Sequence, residues 1–320
     1  MGGNMALDKN SRVVVIMGGL SEERPVSMRS GRAVLEALKR EGFNNAQSYV
    51  VDDETLPGFP ASVNFAFIAM HGRFGEDGIL QAMLEKRGVR YLGSGPGASR
   101  ICMNKARAKE VFNTAGVPTP KACVVNRATD LREIETRVMT RLGLPVVVKP
   151  VAQGSSVGVS IARDGIELLL GVTAAFAFDD DVIVEQFIEG RELTVGILGC
   201  ETLPIVEVKP GRRFYDYAAK YEDGGTAYRI NPKIEKAAAE KTRAMALRAF
   251  GACGCRHFAR ADFRLNRKNE PFILEINTIP GMTERSLFPM AANAAGLTFG
   301  KLCVQLCELA FEGEKKAEVA

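Results

Sequence analysis

Apolar residues follow two patterns in the first hundred positions of the chain, continuous runs and helical spacing. Residues 12–17 and 65–70 are continuous apolar runs, as expected of strands that are buried on both faces. Residues 27–40 and 79–84 instead repeat their apolar positions at helical spacing. Strands that alternate with helices predict an α/β unit with a parallel, doubly wound sheet, whose ligands bind beyond the carboxyl ends of the strands. His71 falls at such an end.

The pattern changes after residue 104, where a predicted helix over residues 104–113 stops at Gly116 and is followed by Pro118 and Pro120. This cluster is typical of a hinge. Short strands then dominate and predict an α+β half with strands at residues 145–149, 157–161, 182–186, 193–198 and 203–208, a polar loop at 211–231, a helix at 234–250, and a hairpin of 261–265 with 271–277. We therefore predict three units, at residues 1–103, 104–188 and 189–320.

Composition and charge limit which partners and which cellular compartment we expect for the protein. The 320 residues carry 42 Lys and Arg against 38 Asp and Glu, and the excess of +4 is spread without a block of like charges. Neither a nucleic-acid partner nor an anionic membrane surface is therefore indicated. No apolar run approaches the roughly 18 residues of a membrane span, and the first residues do not resemble a signal peptide. Seven cysteines in that context are typical of reduced thiols, so we expect a cytoplasmic protein.

The predicted hairpin carries the strongest local signal for chemistry. With a tight turn at residues 268–269, Asp262 falls directly opposite Glu275, and Asn277 shares the face of Glu275. Two opposed carboxylates repel unless a cation or a proton lies between them, and a set of oxygen ligands suits Mg²⁺. A solvated hairpin face is the alternative, against which the apolar residues around Glu275 argue.

A second signal is Lys149, which ends an apolar strand just before the glycine- and serine-rich turn at residues 154–158. Backbone N–H groups of such a turn can approach an anion closely, and a lysine adds a point charge for a phosphate. A plain hairpin turn is the alternative. The turn also matches G-x-S-x-G around Ser156, but a hydrolase needs a helix after that serine, and here a strand is predicted.

The remaining candidates are interpreted as structural or left open. Cys253, Cys255 and His257 could place three metal ligands on one strand face, but no fourth ligand is near in sequence, so buried thiols are favoured. His71 opens a glycine-rich loop, where a functional histidine and a capping histidine fit its position equally well.

Six stretches together resemble one family, the D-alanine–D-alanine ligases of the ATP-grasp superfamily. They are G-G-L-S-E-E-R at residues 18–24, A-M-H-G-R-F-G-E-D-G at 69–78, V-K-P with G-S-S-V-G within 148–158, F-Y-D-Y-A-A-K-Y at 214–221, residues 254–262, and E-I-N-T-I-P-G-M-T at 275–283. Each stretch alone is weak, whereas six in this order are specific. The resemblance implies an N-terminal doubly wound parallel-sheet substrate domain followed by an ATP-grasp fold, in which a central and a C-terminal catalytic unit hold ATP between them.

By this resemblance the chain joins two D-alanine molecules to D-alanyl-D-alanine through a D-alanyl phosphate, releasing ADP and phosphate, for peptidoglycan precursors. Asp262, Glu275 and Asn277 would hold two Mg²⁺ ions, for which Mn²⁺ could substitute. The residues implied to bind ATP are Lys105 and Lys149 at the α- and β-phosphates, Lys220 at the γ-phosphate, Glu185, Gln186, Phe187 and Ile188 at the adenine edge, and Glu192 at the ribose.

The resemblance also implies a set of substrate-binding and catalytic residues. Glu23 would bind the ammonium of the first D-alanine and form a hydrogen-bonded triad with Ser155 and Tyr221, and the loop 211–231 would be a lid that excludes water. The other implied residues are Arg260 and the Gly281 N–H at the oxyanion, Ser286 at the second carboxylate, and His71 near the first substrate. Members of this family are commonly dimers, so a homodimer is expected.

Departures from the family pattern are small, and several alternatives stay open. Pro25 stands where an acidic residue is common, and Ala152-Gln153 replaces a more charged pair. Tyr221 favours D-alanine over D-lactate as the second substrate. The alternatives are a D-alanine–D-lactate ligase, another ATP-grasp carboxylate–amine ligase, a non-catalytic nucleotide-binding protein, and a hydrolase that uses Ser156.

Overall fold

The computed structural model describes residues 7–209 and 225–312, and within them the chain forms three sheets with flanking helices. The strands are β1 (Val13–Gly18), β2 (Gln47–Val51), β3 (Phe65–Ile68), β4 (Ala122–Asn126), β5 (Val146–Pro150), β6 (Ser160–Ala162), β7 (Asp181–Gln186), β8 (Gly190–Leu198), β9 (Glu201–Thr202), β10 (Val206–Lys209), β11 (Ala227–Ile230), β12 (Phe258–Asn266) and β13 (Pro271–Asn277). The helices are α1 (Arg24–Arg40), α2 (Ile79–Lys86), α3 (Pro96–Met103), α4 (Lys105–Thr114), α5 (Leu131–Arg141), α6 (Gly165–Ala175), α7 (Lys236–Ala252), α8 (Leu287–Ala294) and α9 (Phe299–Glu312).

The first sheet is parallel, in the order β2-β1-β3, which confirms the prediction from the apolar runs. Every residue of β1 is buried, and its alternate side chains enter two different cores, Val13 and Val15 on one face and Val14 and Ile16 on the other. Helix α1 begins at Arg24, three residues before the prediction, because a proline in the first turn has no amide hydrogen to lose there.

The second sheet is antiparallel, in the order β4-β7-β5-β6, and packs one face on α5 and α6. The strand predicted at residues 157–161 is wrong at its start, since β6 covers only Ser160–Ala162. Residues before it form a loop in which the Val157 N–H donates to the Gly154 carbonyl and the Val159 N–H donates to that of Ser156. Local backbone bonds therefore replace ladder bonds there.

The third sheet is antiparallel, in the order β11-β10-β8-β12-β13 with β9 paired to β8. It buries one face against α7 and α4, whose Phe112 lies in the same core as Phe263 and Ile273. The polar loop predicted at 211–231 is wrong at its end, because β11 pairs with β10 over Ala227–Ile230. Residues 211–224 of that predicted lid lie outside the described residues.

The hairpin of β12 and β13 confirms the predicted pairing of Asp262 with Glu275. Its turn differs from the two-residue turn predicted at 268–269, since Leu265 pairs with Pro271 and the left-handed Asn269 closes a longer loop. A β-bulge after Asp262 restores the predicted register. The bulge also points two consecutive side chains, Leu274 and Glu275, into the same cavity.

Helices from the end of the chain complete the core of the first sheet. Leu302 and Leu306 of α9 and Phe288 of α8 pack with Val13 and Phe65. No single helix in residues 7–209 and 225–312 is long and apolar enough to cross a bilayer; the bent pair α8–α9 reaches that length and composition only jointly. The domain boundaries at 103 and 188 stay predictions.

Replacing Gly31 by Ala should destabilise the protein, because α1 lies so close to β1 at this point that only glycine fits. A Cβ at Gly31 would lie 2.5 Å from the Cβ of Met17, a contact that requires the helix to shift. We expect a loss of about 2 kcal/mol in the free energy of unfolding, measured by urea denaturation.

Gly97→Ala is the matched control, since Gly97 is also helical, in α3, and has no atom within 4 Å of an added Cβ. There the better helix propensity of alanine should leave stability equal or raised by less than about 1 kcal/mol. Equal losses in both variants would contradict the packing argument.

Candidate active site

Two joined cavities lie where the three sheets meet. The smaller, of about 150 Å³, lies between the second and third sheets, and the larger, of about 930 Å³, opens towards α1 and the loop after β3. Lys105, Ser155, Arg260 and Glu275 line both cavities and mark their junction. One continuous cleft therefore connects residues from all three sheets.

The smaller cavity has an apolar wall and a charged end. Val147, Ile161, Leu193 and Val208 contribute to the wall. The structure also brings to this cavity the residues that the sequence assigned to a nucleotide, apart from Lys220, which lies outside the described residues: Lys105, Lys149, Glu185, Gln186, Phe187, Ile188 and Glu192. A flat apolar slot that ends in ammonium groups suits an aromatic base joined to an anionic group.

Lys149 is held by a buried ion-pair network. Its Nζ lies 2.8 Å from Glu185 Oε2, and Lys109 Nζ lies 3.2 Å from Glu185 Oε1. Burial alone would raise the pKa of Glu185 and lower that of Lys149, but their mutual attraction shifts both the other way. The Glu185 carboxylate thus pairs with two lysines and positions Lys149, and its expected contact with adenine stays a prediction.

Lys109 is a residue that sequence reasoning missed and that supports the site through Glu185 without lining either cavity. It donates to Thr119 Oγ1 at 2.7 Å and to the Pro120 carbonyl at 3.3 Å, and burial lowers its pKa despite Glu185. Its spacing of four residues from Lys105 on α4 was an available signal, because i and i+4 share one helix face. Both lysines are buried on the face of α4 that carries Phe112.

Arg264 is a second missed residue, one β-strand repeat beyond Asp262 on the same face of β12. Its guanidinium donates to the carbonyls of Ile188 and Gly190 and lies 3.4 Å from Glu192 Oε2. It therefore fixes the loop between β7 and β8 that forms one edge of the smaller cavity. Alternation along the hairpin strand could have found it.

The three oxygen ligands proposed for Mg²⁺ lie together on the hairpin face. Arg260 binds Asp262 in a bidentate pair, at 2.9 Å and 2.8 Å, Lys105 Nζ lies 3.7 Å from Glu275, and Asn277 Oδ1 accepts the Ile279 N–H. Among the described residues no three His, Cys, Asp or Glu side chains form a metal cluster. Two carboxylates and one amide oxygen at the cavity wall nevertheless fit Mg²⁺, which takes few protein ligands and completes its shell with waters and phosphates.

The glycine- and serine-rich turn joins the second sheet to the first. Ser155 and Ser156 both adopt left-handed backbone conformations, with φ of +50° and +61°, which is strained for residues with a side chain. The Ser155 hydroxyl donates to Glu23 Oε1, and a Cβ at Gly154 would lie 2.7 Å from Glu23 Oε2. The third member of the predicted triad, Tyr221, lies outside the described residues. Because β6 follows this turn, it lacks the helix of a nucleophile elbow.

His71 is fully engaged in hydrogen bonds. Its Nδ1 lies 2.9 Å from the Ile279 carbonyl and its Nε2 lies 3.0 Å from Ser30 Oγ, which also accepts the Met282 N–H. Burial lowers the pKa of His71, and a neutral ring with its proton on Nδ1 satisfies both contacts. The histidine therefore holds the loop after β13 against α1 while lining the larger cavity.

The loop after β13 brings the last two predicted residues into the larger cavity. Gly281 and Ser286 both line it, together with Arg260. Ser286 Oγ lies 2.9 Å from Thr283 Oγ1 and accepts the Thr283 N–H, and a Cβ at Gly281 would lie 3.0 Å from Ser286 Oγ. The structure thus places Arg260, Gly281 and Ser286 around the same cavity as Glu23.

Glu76 is a third residue that sequence reasoning missed, although it lies within the quoted stretch 69–78. It lines the larger cavity, and its Oε2 accepts the Gly72 N–H at 2.6 Å. Burial, reinforced by the negative charge of Glu23, raises the pKa of Glu76 to about 8. Its carboxyl is therefore a protonated group at neutral pH, and no local sequence pattern reports that burial.

Comparison with known proteins identifies relatives over most of the chain. The family model described as D-ala D-ala ligase C-terminus matches residues 111–308. The D-alanine–D-alanine ligase of Citrifermentans bemidjiense is 40% identical over 302 residues, covering 94% of this chain and 97% of that protein. The D-alanine–D-alanine ligase of Desulforudis audaxviator is 43% identical over 312 residues, covering 94% and 99%.

Solved structures share the fold at similar coverage. The D-alanine–D-alanine ligase from Bacillus anthracis complexed with ATP superposes with a TM-score of 0.83 at 32% identity, covering 96% of this chain and 99% of that one. The VanG D-Ala:D-Ser ligase from Enterococcus faecalis gives a TM-score of 0.81 at 27% identity, covering 94% and 99%. The predicted fold class, a parallel-sheet unit followed by an ATP-grasp fold, is confirmed.

Replacing Glu76 by Gln should flatten the dependence of stability on pH. The folded protein keeps a proton on Glu76 up to about pH 8, whereas the unfolded chain releases it above the ordinary value of 4.5. Glu76 therefore contributes stability that is fully present below the unfolded pKa and is lost as pH rises through the folded pKa. Between about pH 5 and pH 8, the free energy of unfolding of the parent should fall by about 3 kcal/mol more than that of Glu76→Gln, measured by urea denaturation.

Glu22→Gln makes the same chemical change at an exposed carboxyl one residue before Glu23. This control should keep the pH dependence of the parent. If Glu76→Gln also keeps the pH dependence of the parent, Glu76 is not the group that holds the proton in the folded protein.

Proposed function

The chain belongs to the D-alanine–D-alanine ligase family of ATP-dependent ligases, and on that premise we propose that it joins two D-alanine molecules to D-alanyl-D-alanine for peptidoglycan precursor synthesis. The observation that carries this proposal is the junction of the two cavities at Lys105, Ser155, Arg260 and Glu275. A nucleotide in the smaller cavity and two small acids in the larger one would meet at this point. Phosphoryl transfer and peptide-bond formation would then share one site.

The positively charged residues at one end of the smaller cavity suit it to bind the phosphates of ATP. Lys149 and Lys105 place ammonium groups at the charged end for the α- and β-phosphates, and Lys220 is the proposed contact of the γ-phosphate. Gln186, Phe187 and Ile188 border the apolar slot for the adenine, and Glu192 accepts from the ribose hydroxyls. Glu185 takes part by holding Lys149 in place.

Asp262, Glu275 and Asn277 are the residues that would hold two Mg²⁺ ions, or Mn²⁺ in their place, and the bound metal would neutralise phosphate charge. Arg260 and Lys105 neutralise the two carboxylates when no metal competes for them. The hairpin register sets this arrangement, since Asp262 and Glu275 are direct ladder partners.

The reaction needs positioning and charge neutralisation rather than a covalent enzyme intermediate. The carboxylate of the first D-alanine attacks the γ-phosphorus, ADP leaves, and the amine of the second D-alanine attacks the resulting acyl phosphate, from which phosphate leaves. Arg260 and the Gly281 N–H, both at the larger cavity, are the proposed donors to the tetrahedral oxyanion. The bidentate bond to Asp262 fixes the plane of the Arg260 guanidinium.

Substrate selection is assigned to Glu23, His71 and Ser286, which line the same cavity. Glu23, held by Ser155, would bind the ammonium of the first D-alanine, and Tyr221 is proposed as the third member of that triad. His71 shapes the floor for the first substrate by fixing the Ile279 carbonyl, and Ser286 would bind the carboxylate of the second. Charged groups of both signs line the larger cavity, among them Glu23, Lys105 and Arg260, and they suit two zwitterionic substrates.

We also propose a cellular location and an oligomeric state for the protein. Seven free thiols and the small-molecule substrates support a cytoplasmic enzyme that acts without a nucleic-acid or membrane partner. A homodimer is proposed from the family resemblance, and light scattering of the purified protein would test it.

The experiment that tests the function is phosphate release from MgATP with D-alanine, read together with the mass of the product. We expect release that requires D-alanine and a dipeptide product, with no stimulation by L-alanine. Added D-lactate or D-serine should compete poorly as second substrate. A mixed product that exceeds the D-alanine dipeptide would assign a different second substrate, and ATP binding without D-alanine-dependent release would overturn the ligase.

Arg260→Met should abolish turnover and spare nucleotide binding, because Arg260 touches the junction rather than the adenine slot. We expect kcat to fall at least about 100-fold with the Kd of ATP changed by less than about threefold. Arg267→Met is the control, since Arg267 pairs with Glu189 on the exposed hairpin turn. Near-normal turnover in Arg260→Met would contradict the oxyanion assignment.

A further inference from the structure

Three thiols that the proposed reaction does not use meet beside the larger cavity. Cys102, in the last turn of α3, lies with its Sγ 3.6 Å from the Sγ of Cys255, which precedes β12. Cys253 is close enough to Cys102 to raise the pKa of its thiol. These residues are 153 positions apart in sequence, so the fold alone brings the two sulfurs together.

The cluster does not form a metal site, since the described residues contain no group of three ligands arranged for one. Two of its thiols, those of Cys102 and Cys255, instead have pKa values that are shifted in opposite directions. Contacts with Cys253 and Cys255 raise the pKa of Cys102, and the hydrogen bond shared with Cys102 lowers the pKa of Cys255 despite burial. Ser94 adds a second hydrogen bond to Cys255. The lower pKa favours Cys255 as the attacking thiol, and the distance of 3.6 Å between the two sulfurs places Cys102 where it can resolve the product.

Access and distance both permit a reaction. Cys102 lines the open cleft, and the Sγ of Cys255 lies 3.6 Å from the Sγ of Cys102. Only 6% of Cys102 and 9% of Cys255 are exposed, so a small oxidant can reach this pair where a bulky one is excluded. A disulfide requires the sulfurs to approach by only about 1.5 Å, which rotation of the two side chains can supply.

We propose that Cys102 and Cys255 are an oxidisable dithiol pair that forms an intramolecular disulfide with peroxide. The Cys255 thiol loses its proton, its sulfur attacks one peroxide oxygen, the O–O bond breaks, and a sulfenic acid and water result. The Cys102 sulfur then attacks the Cys255 sulfur, the S–O bond breaks, and a second water leaves with the Cys102 proton. Two thiols are oxidised by two electrons, and one peroxide is reduced to two waters.

The bond would tie together two segments that carry site residues. Cys102 lies three residues before Lys105, and Cys255 lies five residues before Arg260. Cys303 and Cys307 in α9 provide an internal comparison, because both are fully buried in the apolar core and burial raises the pKa of each. They should stay reduced under conditions that oxidise the first pair.

The test uses the full chain with Cys200→Ser, which removes the one exposed cysteine and so prevents bonds between chains. After treatment with hydrogen peroxide, we expect the number of free thiols in denaturant to fall by two and to recover with dithiothreitol. Mass spectrometry of non-reduced peptides should show one disulfide that joins Cys102 to Cys255. A disulfide to Cys253, equal oxidation of Cys303 and Cys307, or no loss of thiols would each overturn the proposal.

Two variants in that background separate the roles of the sulfurs. Cys102→Ser should accumulate a sulfenic acid on Cys255 that dimedone traps, because the resolving thiol is gone. Cys255→Ser should react with peroxide at least about tenfold more slowly, since the thiol of raised pKa remains. Dimedone labelling of Cys102 in Cys255→Ser at the parent rate would reverse the assignment. The peptide map of the parent decides the pairing even if a variant fails to fold.

Discussion

The like-charge pair of Asp262 and Glu275 is the constraint on which the arrangement of the cleft depends. Direct ladder partners hold the two carboxylates close, and each must be compensated by a cation from its surroundings. Arg260 comes from the same strand as Asp262, whereas Lys105 comes from α4, whose Phe112 packs into the core of the third sheet. The negative charge of Glu275 on the hairpin is therefore compensated by a lysine of a helix that precedes the hairpin by about 150 residues in sequence.

Short hydroxyl side chains of α1 join the first sheet to this centre. The Ser27 hydroxyl accepts the His71 N–H, and Ser30 bridges the His71 ring to the Met282 N–H. Ser155 makes the corresponding link from the second sheet through Glu23. These bonds tie α1 and Glu23 to the loops after β3 and β13 and to the turn at 154–158. Three separately formed sheets therefore act on one site.

Local sequence patterns predicted what depends on near neighbours and missed what depends on distant ones. The buried run of β1 and the opposition of Asp262 to Glu275 follow from alternation and pairing, and both are found. The hairpin bulge could not be predicted from the sequence. The longer turn and the extra residue shift the register in opposite directions, so the predicted pairing of Asp262 with Glu275 is unchanged. Glu76 was missed because burial by segments far along the chain, rather than local spacing, raises its pKa. Lys109, by contrast, could have been found from its spacing of four residues from Lys105.

The charge balance of the buried network explains why an anion belongs in the smaller cavity. Glu185 carries one negative charge and faces two lysines, so Lys109 and Lys149 leave one positive charge uncompensated within that group. At the junction, Arg260 with Asp262 and Lys105 with Glu275 balance each other. A buried excess of positive charge is costly unless a ligand supplies the missing negative charge. Phosphate groups placed at Lys149 would meet that requirement, and metal ions would then take over the carboxylates of the hairpin.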